Sequence, residues 1–292
     1  MKSVVAIGVF DGVHLGHQAL TEMCASVAAE YGLNPVAATF SPHPMSVVRG
    51  LQVDALTSSQ RRTELLLQHG VHDVYVCDFT PERAAQSPEL FVKEVLIEHL
   101  QASHVVVGAG FRFGAGAKGT ADDIRAQGLM VHEVEHVIRH DARVSSTRIR
   151  HELAAGNLEL ANSLLGRSHR IEGTVIYGQQ RGRELGYPTA NIAPSFRQAI
   201  PADGVYAGWM TNLATAERWP AAISIGTNPT FSDIETRSIE AYAIDQRGLD
   251  LYGAEVAVDF VQHLRPMLKF NGLDELVAAM DADVERSRTI LA

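Results

Sequence analysis

Two histidines three residues apart, His14 and His17, stand in GVFDGVHLGH at residues 8 to 17, directly after the apolar run VVAI. Imidazoles beside the N–H groups that open a helix can donate hydrogen bonds to a phosphate whose charge is rising. Gly8 and Gly12 allow a tight turn there, and Gly8 and Asp11 join the candidate nucleotide-binding residues. A second group lies in VSSTRIR at 144 to 150, where Ser145, Ser146, Thr147 and Arg150 fall at the start of another helix. Hydroxyls and a guanidinium in that place make a second phosphate clamp. The bland alternatives are two solvated histidines in a first turn, and a serine cap ahead of a solvated basic face.

Both groups need a frame, and the first half of the chain supplies an alternating one. VVAIGVF reads as a buried strand, and residues 17 to 31 place Leu20, Cys24 and Val27 on one helical face. Gly32 stops that helix, with Pro35 shortly after it. VAATF at 36 to 40, VYVCDF at 74 to 79 and HVVVG at 104 to 108 read as further strands. QRRTELLLQHG and residues 88 to 100 read as helices, the latter opened by Ser87 and Pro88. Strands apolar on both sides and separated by helices predict a parallel sheet covered on both faces. In such a sheet ligands bind beyond the carboxyl ends of the strands, where the first histidine pair must sit.

After about residue 166 the rhythm changes to short β-like runs: HRIEGTVIYG, GVYAGWMTNL, AAISIGTN, SIEAYAID and AEVAVDFVQHL. Helical periodicity returns at 273 to 291. The pattern predicts an antiparallel barrel or sandwich with a C-terminal helix against it. A boundary near LLGRSHR gives two domains, 1 to 166 and 167 to 292, closely joined.

The whole chain limits the chemistry. Its 292 residues suffice for two domains, and 46% hydrophobic with 20% charged residues describes globular structure. A formal net charge of −9 lacks the broad positive field of a nucleic-acid binder, so small-molecule substrates are expected. No apolar run approaches the roughly 18 residues of a membrane span. Asp11 and His14 cut short anything resembling a signal peptide. Cys24 and Cys77 are too few and too far apart for a disulfide framework, which fits a reducing cytoplasm.

Together the two phosphate groups resemble the H-x-G-H and S-S-T-x-x-R pair of the nucleotidyltransferase superfamily. The second half is more specific. GTVIYGQQRGRELGYPTANI at 173 to 192, PADGVYAG, SIGTNPTF and SIEAYAID resemble a riboflavin kinase domain along nearly its whole length. With FSPHP at 40 to 44, the entire chain is similar to the bacterial bifunctional riboflavin kinase and FAD synthetase family. The resemblance implies a Rossmann-like nucleotidyltransferase domain followed by a small β-barrel kinase domain. It implies phosphorylation of riboflavin to FMN in the second, and adenylylation of FMN to FAD with release of pyrophosphate in the first. ATP is then the co-substrate, Mg²⁺ the cofactor, and no obligate protein partner is implied.

By the same resemblance Glu240 is the general base toward the ribityl hydroxyl, and Thr189 and Asn191 of PTAN serve Mg²⁺ and the ATP phosphates. Oxygen donors of those kinds suit a hard cation that keeps phosphate and water ligands. Gly178, Gly182 and Arg183 belong to a loop over the nucleotide, and GTNPTF at 226 to 231 to a second wall. His14 and His17 are the catalytic pair of the other domain. His43 and Pro44 of FSPHP, with Phe111 and Phe113 of GAGFRFG, are its flavin contacts.

One residue departs from the family pattern. Gly110 stands where an Asn or Asp usually precedes Phe-x-Phe-Gly, so a side-chain hydrogen bond is lost, which allows a weakened or lost adenylyltransferase site. Members commonly carry a short segment before the first strand. This chain starts almost at it, so one edge of the sheet is expected to be less covered. GAGAKG at 114 to 119 satisfies G-x-G-x-x-G, yet AGFRF separates it from the valine strand and only a short polar helix follows, which argues against a dinucleotide site. No G-x-x-x-x-G-K-[ST] occurs. His72, His99, His132, His136 and His140 show no converging spacing, so no structural zinc is expected. Two other classes stay open: a nucleotidyltransferase for another acceptor with the barrel as a binding module, opposed by PTAN with Glu240, and a non-catalytic flavin-binding protein, opposed by the intact histidine pair and Glu240.

Overall fold

The computed structural model describes residues 1–178, 186–228, 236–246 and 248–292. It divides into two compact units, Met1–Ser146 and Thr147–Ala292.

The first unit contains β1 (Ser3–Ile7), α1 (Leu15–Tyr31), β2 (Asn34–Ser41), α2 (Pro44–Arg49), α3 (Ser59–Gln68), β3 (Asp73–Asp78), α4 (Pro81–Ala84), α5 (Pro88–Phe91), β4 (Ala102–Gly108), α6 (Ala121–Ala126) and β5 (Met130–Val134). A hairpin of β6 (Ile138–Arg139) and β7 (Ala142–Arg143) follows. The five longer strands form one parallel sheet in the order β3-β2-β1-β4-β5. Alternate residues explain why these strands are apolar throughout. Val5, Ile7, Val105 and Val107 face one layer with Phe91, Val92 and Leu96, while Val4, Ala6 and Val106 face the other with Leu20, Cys24 and Leu66. Each fully buried Val, Leu, Ile or Phe among these contributes about 1.5–3 kcal/mol. The helix expected over 88 to 100 starts at Ser87 and Pro88, but from Val92 to His99 its turns widen to π-helical geometry.

The second unit opens with most of α7 (Ser146–Ala154) and with α8 (Leu158–Leu165). The strands β8 (His169–Ile176), β9 (Ala190–Pro194), β10 (Gly204–Asn212), β11 (Arg218–Asn228), β12 (Thr236–Ala243) and β13 (Glu255–Arg265) close into a barrel, and α9 (Leu273–Leu291) packs against it. The barrel order is β10-β11-β12-β9-β8-β13, antiparallel throughout. Of barrel and sandwich, the barrel forms. The rhythm of the sequence changes at residue 166, whereas the compact units part at Ser146. Packing is the reason: Asn162 of α8 donates to Phe260 O at 2.9 Å and accepts from His169 N at 2.8 Å, so the α8 helix is bound to β13 and β8.

Candidate active sites

In the first unit, β1 is the central strand and its neighbours β2 and β4 run out on either side of it, the point where strand order reverses. The loop after β1 is strained. Phe10 and Val13 hold φ of 53° and 37°, a region costly for residues with a side chain and concentrated at ligand-binding turns. His14 caps α1: its side chain accepts from His17 N at 3.4 Å. The rings of His14 and His17 stack with centroids 3.6 Å apart, and the Phe10 edge meets His17 at 5.2 Å. Gly16 makes this possible, because a Cβ there would lie 3.2 Å from the His14 ring. The expected pair is thus held as a unit at a helix N-terminus, with His14 buried and His17 partly open.

The remaining expected residues of this unit take different places. Asp11 is buried, and its Oδ1 accepts from Leu56 N at 2.9 Å and Thr57 N at 3.3 Å. Its carboxylate therefore ties two loops together. Its carbonyl accepts from Ser146 Oγ at 2.8 Å, which joins the serine segment to the histidine loop. Ser145 immediately precedes Ser146; Thr147 and Arg150 follow on α7. Gly8 lies at the carboxyl end of β1, its position closed by the Phe10 ring 3.2 Å from where a Cβ would stand. His43 caps α2 by accepting from Met45 N at 3.2 Å, with Pro44 at the first helical position. This cap follows β2, and Phe111 follows β4, so candidate flavin contacts flank β1 on both sides at the same end of the sheet. Phe113 is buried against Phe91 at 5.7 Å, and Phe111 stacks on it at 5.6 Å, leaving Phe111 as the more open of the two rings. Gly110 has φ 71° and open space around it.

Arg62 escaped the sequence reading. It is buried on α3, donating to Val9 O and Phe40 O at 3.2 Å each, the carbonyls at the ends of β1 and β2. Burial pushes its guanidinium pKa down, and the Asp11 charge opposes that shift. In QRRTEL nothing distinguishes a buried arginine from a solvated one.

In the second unit, Glu240 of β12 pairs with Asn191 of β9, and Thr189 Oγ1 donates to Glu240 Oε2 at 3.2 Å. The three expected residues converge, each half-buried. Gly178 lies so near that a Cβ would stand 2.2 Å from the Asn191 amide, so only a bare backbone passes there. Gly182, Arg183 and the Pro229 to Phe231 part of GTNPTF lie outside the described residues. Thr189 borders two cavities. One, of about 240 Å³, is largely apolar, with Ile223, Met267, Phe270, Met280 and Val284 around Glu240. The other, of about 520 Å³, is lined by Pro188, Met210, Gln246, Asp250 and Tyr252, and Tyr177 stacks on Tyr252 at 4.0 Å. A hydroxyl, an amide and a carboxylate are hard oxygen donors. No cluster of three or more His, Cys, Asp or Glu able to cage a metal exists among the described residues. The donor set therefore fits a cation such as Mg²⁺ that retains phosphate and water ligands.

His104 and His132 also meet, Nδ1 to Nε2 at 3.0 Å, on adjacent strands at the opposite end of β4 from Phe111. They are locally bonded histidines, and belong to neither site.

The fold and these arrangements fit a two-unit transferase that uses nucleotides: a doubly wound unit with paired histidines at a helix N-terminus at its switch point, and a barrel in which Glu240 lines the apolar cavity and Thr189 borders both. Residues 1–148 match the FAD synthetase family model and residues 165–291 the riboflavin kinase model. A bifunctional riboflavin kinase/FMN adenylyltransferase of Listeria monocytogenes is 38% identical over all of this chain and 93% of its own length. One of Bacillus subtilis is 35% identical over 98% of this chain and 92% of its own. A crystal structure from Streptococcus pneumoniae, described as a macrolide-efflux protein, superposes with a TM-score of 0.90 at 33% identity, covering 98% of this chain and 94% of that one. The chain belongs to the bifunctional riboflavin kinase/FMN adenylyltransferase family.

Proposed function

We propose that the second unit phosphorylates riboflavin to FMN and the first adenylylates FMN to FAD, with ATP as donor in both reactions. The observation that carries this is that Thr189 and Glu240 meet on the apolar cavity, with Asn191 paired to Glu240 across the strands and Thr189 also bordering the second, more polar cavity. The apolar cavity suits the flavin ring system and the more polar, larger one a nucleotide. Riboflavin held in the first presents its terminal ribityl hydroxyl to Glu240, which accepts the proton as that oxygen attacks the γ-phosphorus and ADP leaves. Thr189 and Asn191 would hold Mg²⁺, which supplies neutralisation of the phosphate charge when bound.

At the other site a phosphate oxygen of FMN attacks the α-phosphorus of ATP, and pyrophosphate leaves. No protein nucleophile takes part; His14 and His17 donate hydrogen bonds to the phosphates as charge builds, aided by the helix N-terminus. Ser145, Ser146, Thr147 and Arg150 complete the phosphate contacts, with Gly8 at the turn. His43, Pro44, Phe111 and Phe113 form the flavin side, Phe111 through its open ring face. The functional boundary is placed near residue 166, although most of α7, and α8, fall in the second compact unit. A cytoplasmic location is in keeping with two buried free cysteines. No helix among the described residues is long and apolar enough to cross a membrane.

The test is a time course with riboflavin and Mg²⁺-ATP, separating riboflavin, FMN and FAD by chromatography. FMN followed by FAD is expected. FMN accumulating alone would remove the adenylyltransferase assignment, and no conversion would remove both.

A further inference from the structure

β13 ends at Arg265, and the chain beyond it builds one wall of the apolar cavity with Met267, Phe270, Leu276, Met280 and Val284. The guanidinium of Arg265 organises that wall. Its Nε lies 3.1 and 3.0 Å from the two carboxylate oxygens of Asp283 on α9, and its Nη2 lies 2.7 Å from Oδ2. Nη1 donates to Pro266 O at 3.2 Å, and the guanidinium carbon stands 5.6 Å from the Phe270 ring centroid. One side chain therefore touches the helix, the connecting loop and the aromatic of the same wall.

The pair is largely buried, at 18% and 7% side-chain exposure. A buried ion pair adds little net stability over an apolar substitute, because desolvation offsets the attraction; what its forked geometry adds is direction. The helix has other ties. Arg286 Nη1 donates to Leu264 O at 3.1 Å, and Arg288 pairs with Asp245 at the surface at 2.8 Å. Removing the buried pair thus loosens the wall without freeing the helix. Both members border the apolar cavity, neither borders the larger one, and among these contacts neither is hydrogen-bonded to Thr189 or Glu240.

We propose that Arg265 and Asp283 are positioning residues for the flavin: they hold α9 and Phe270 at the spacing that grips the ring system, and so set riboflavin affinity separately from phosphoryl transfer. This rests on the reading that the apolar cavity takes the flavin.

The test is steady-state riboflavin phosphorylation by the full chain carrying Arg265→Lys, Asp283→Asn, the exchange R265D with D283R, or Phe270→Leu. Arg265→Lys and Asp283→Asn are expected to raise KM for riboflavin by about tenfold while kcat and KM for Mg²⁺-ATP stay within about twofold, the pattern of lost ground-state binding. The exchanged pair recovers part of the loss. Phe270→Leu, which leaves the ion pair intact, raises the same KM and serves if a charge variant does not fold. Unchanged riboflavin KM in the folded variants would overturn the proposal. So would parallel losses in kcat and both KM values, the mark of a merely structural role. An unmutated chain that forms no FMN would instead overturn the assignment of the site.

Discussion

Thr189 Oγ1 donates to Glu240 Oε2 at 3.2 Å, so the carboxylate proposed as base is held by the hydroxyl proposed for the metal and phosphates. That bond uses the hydroxyl's one proton and one carboxylate oxygen, so the hydroxyl's lone pairs would stay available to a cation and Glu240 Oε1 to the incoming alcohol. Glu240→Gln keeps the shape and the hydrogen bond but cannot take a proton. Riboflavin phosphorylation is expected to fall by about 10²- to 10⁴-fold, while FAD still forms from supplied FMN. A variant with full kinase rate would remove Glu240 from the mechanism.

The stacked histidines separate into two roles. His17→Ala is expected to lower FAD formation from FMN by about 10²-fold, the loss typical of one donor to developing charge. His14→Asn retains a capping acceptor for α1, whereas His14→Ala loses about 1 kcal/mol of helix capping. Thermal melts of both variants, set beside their FAD yields, distinguish the cap from the chemistry.

Gly110 can be tested by gain of activity. Its φ of 71° is one that Asn and Asp adopt more readily than other side chains, and open space surrounds it. Gly110→Asn should therefore fold, restore the side-chain polar group, and raise kcat/KM for FMN adenylylation. An unchanged value would show that backbone or solvent already makes that contact.

Acid should weaken the fold through neutral buried histidines. His169 is buried, with Nε2 2.7 Å from Ala199 O, and burial pushes its pKa down to about 4. His104 is lowered too, first by desolvation and then by His132 beside it. Their folded pKa values lie below the unfolded one near 6.5, so the unfolded chain binds these protons first. For His169 the contribution is full above about pH 6.5 and is lost as pH falls toward 4, by at most about 1.4 kcal/mol per pH unit, and His104 adds in the same direction. Urea unfolding at stepped pH measures the slope, and His169→Gln should flatten it.

Much of this architecture was legible in the sequence because its central strands are buried on both faces. Val4 to Ile7 and Val105 to Val107 announce themselves as unbroken apolar runs. β5 did not, since MVHEV is an edge strand with two exposed and three half-buried positions. β9 was hidden in ANIAP, too short and proline-ended to read as a strand, although it positions Asn191 opposite Glu240. The packing of α8 on the barrel rests on the side chain of Asn162, whose partners at 169 and 260 no local pattern reveals. Arg62 was missed for a related reason: its carbonyl partners, Val9 in the loop after β1 and Phe40 in β2, lie far from it in sequence. In the motif loops, by contrast, residue type and backbone shape specify each other, as where Gly16 lies under the His14 ring.

Closure of the barrel governs the order in which the chain can fold. The pairing of β8 with β13 sets His169 opposite Phe260 and Thr174 opposite Glu255, contacts more than 80 residues apart. Such contacts carry a large loop-closure entropy and form slowly. During synthesis the parallel sheet has all its strands once Val134 has left the ribosome, whereas the second unit remains an open sheet until residue 265 follows. A chain cut short before β13 would expose unpaired edges on β8 and β10 and invite aggregation. Loss of the last few dozen residues should therefore abolish soluble protein rather than leave a working first unit joined to an idle second.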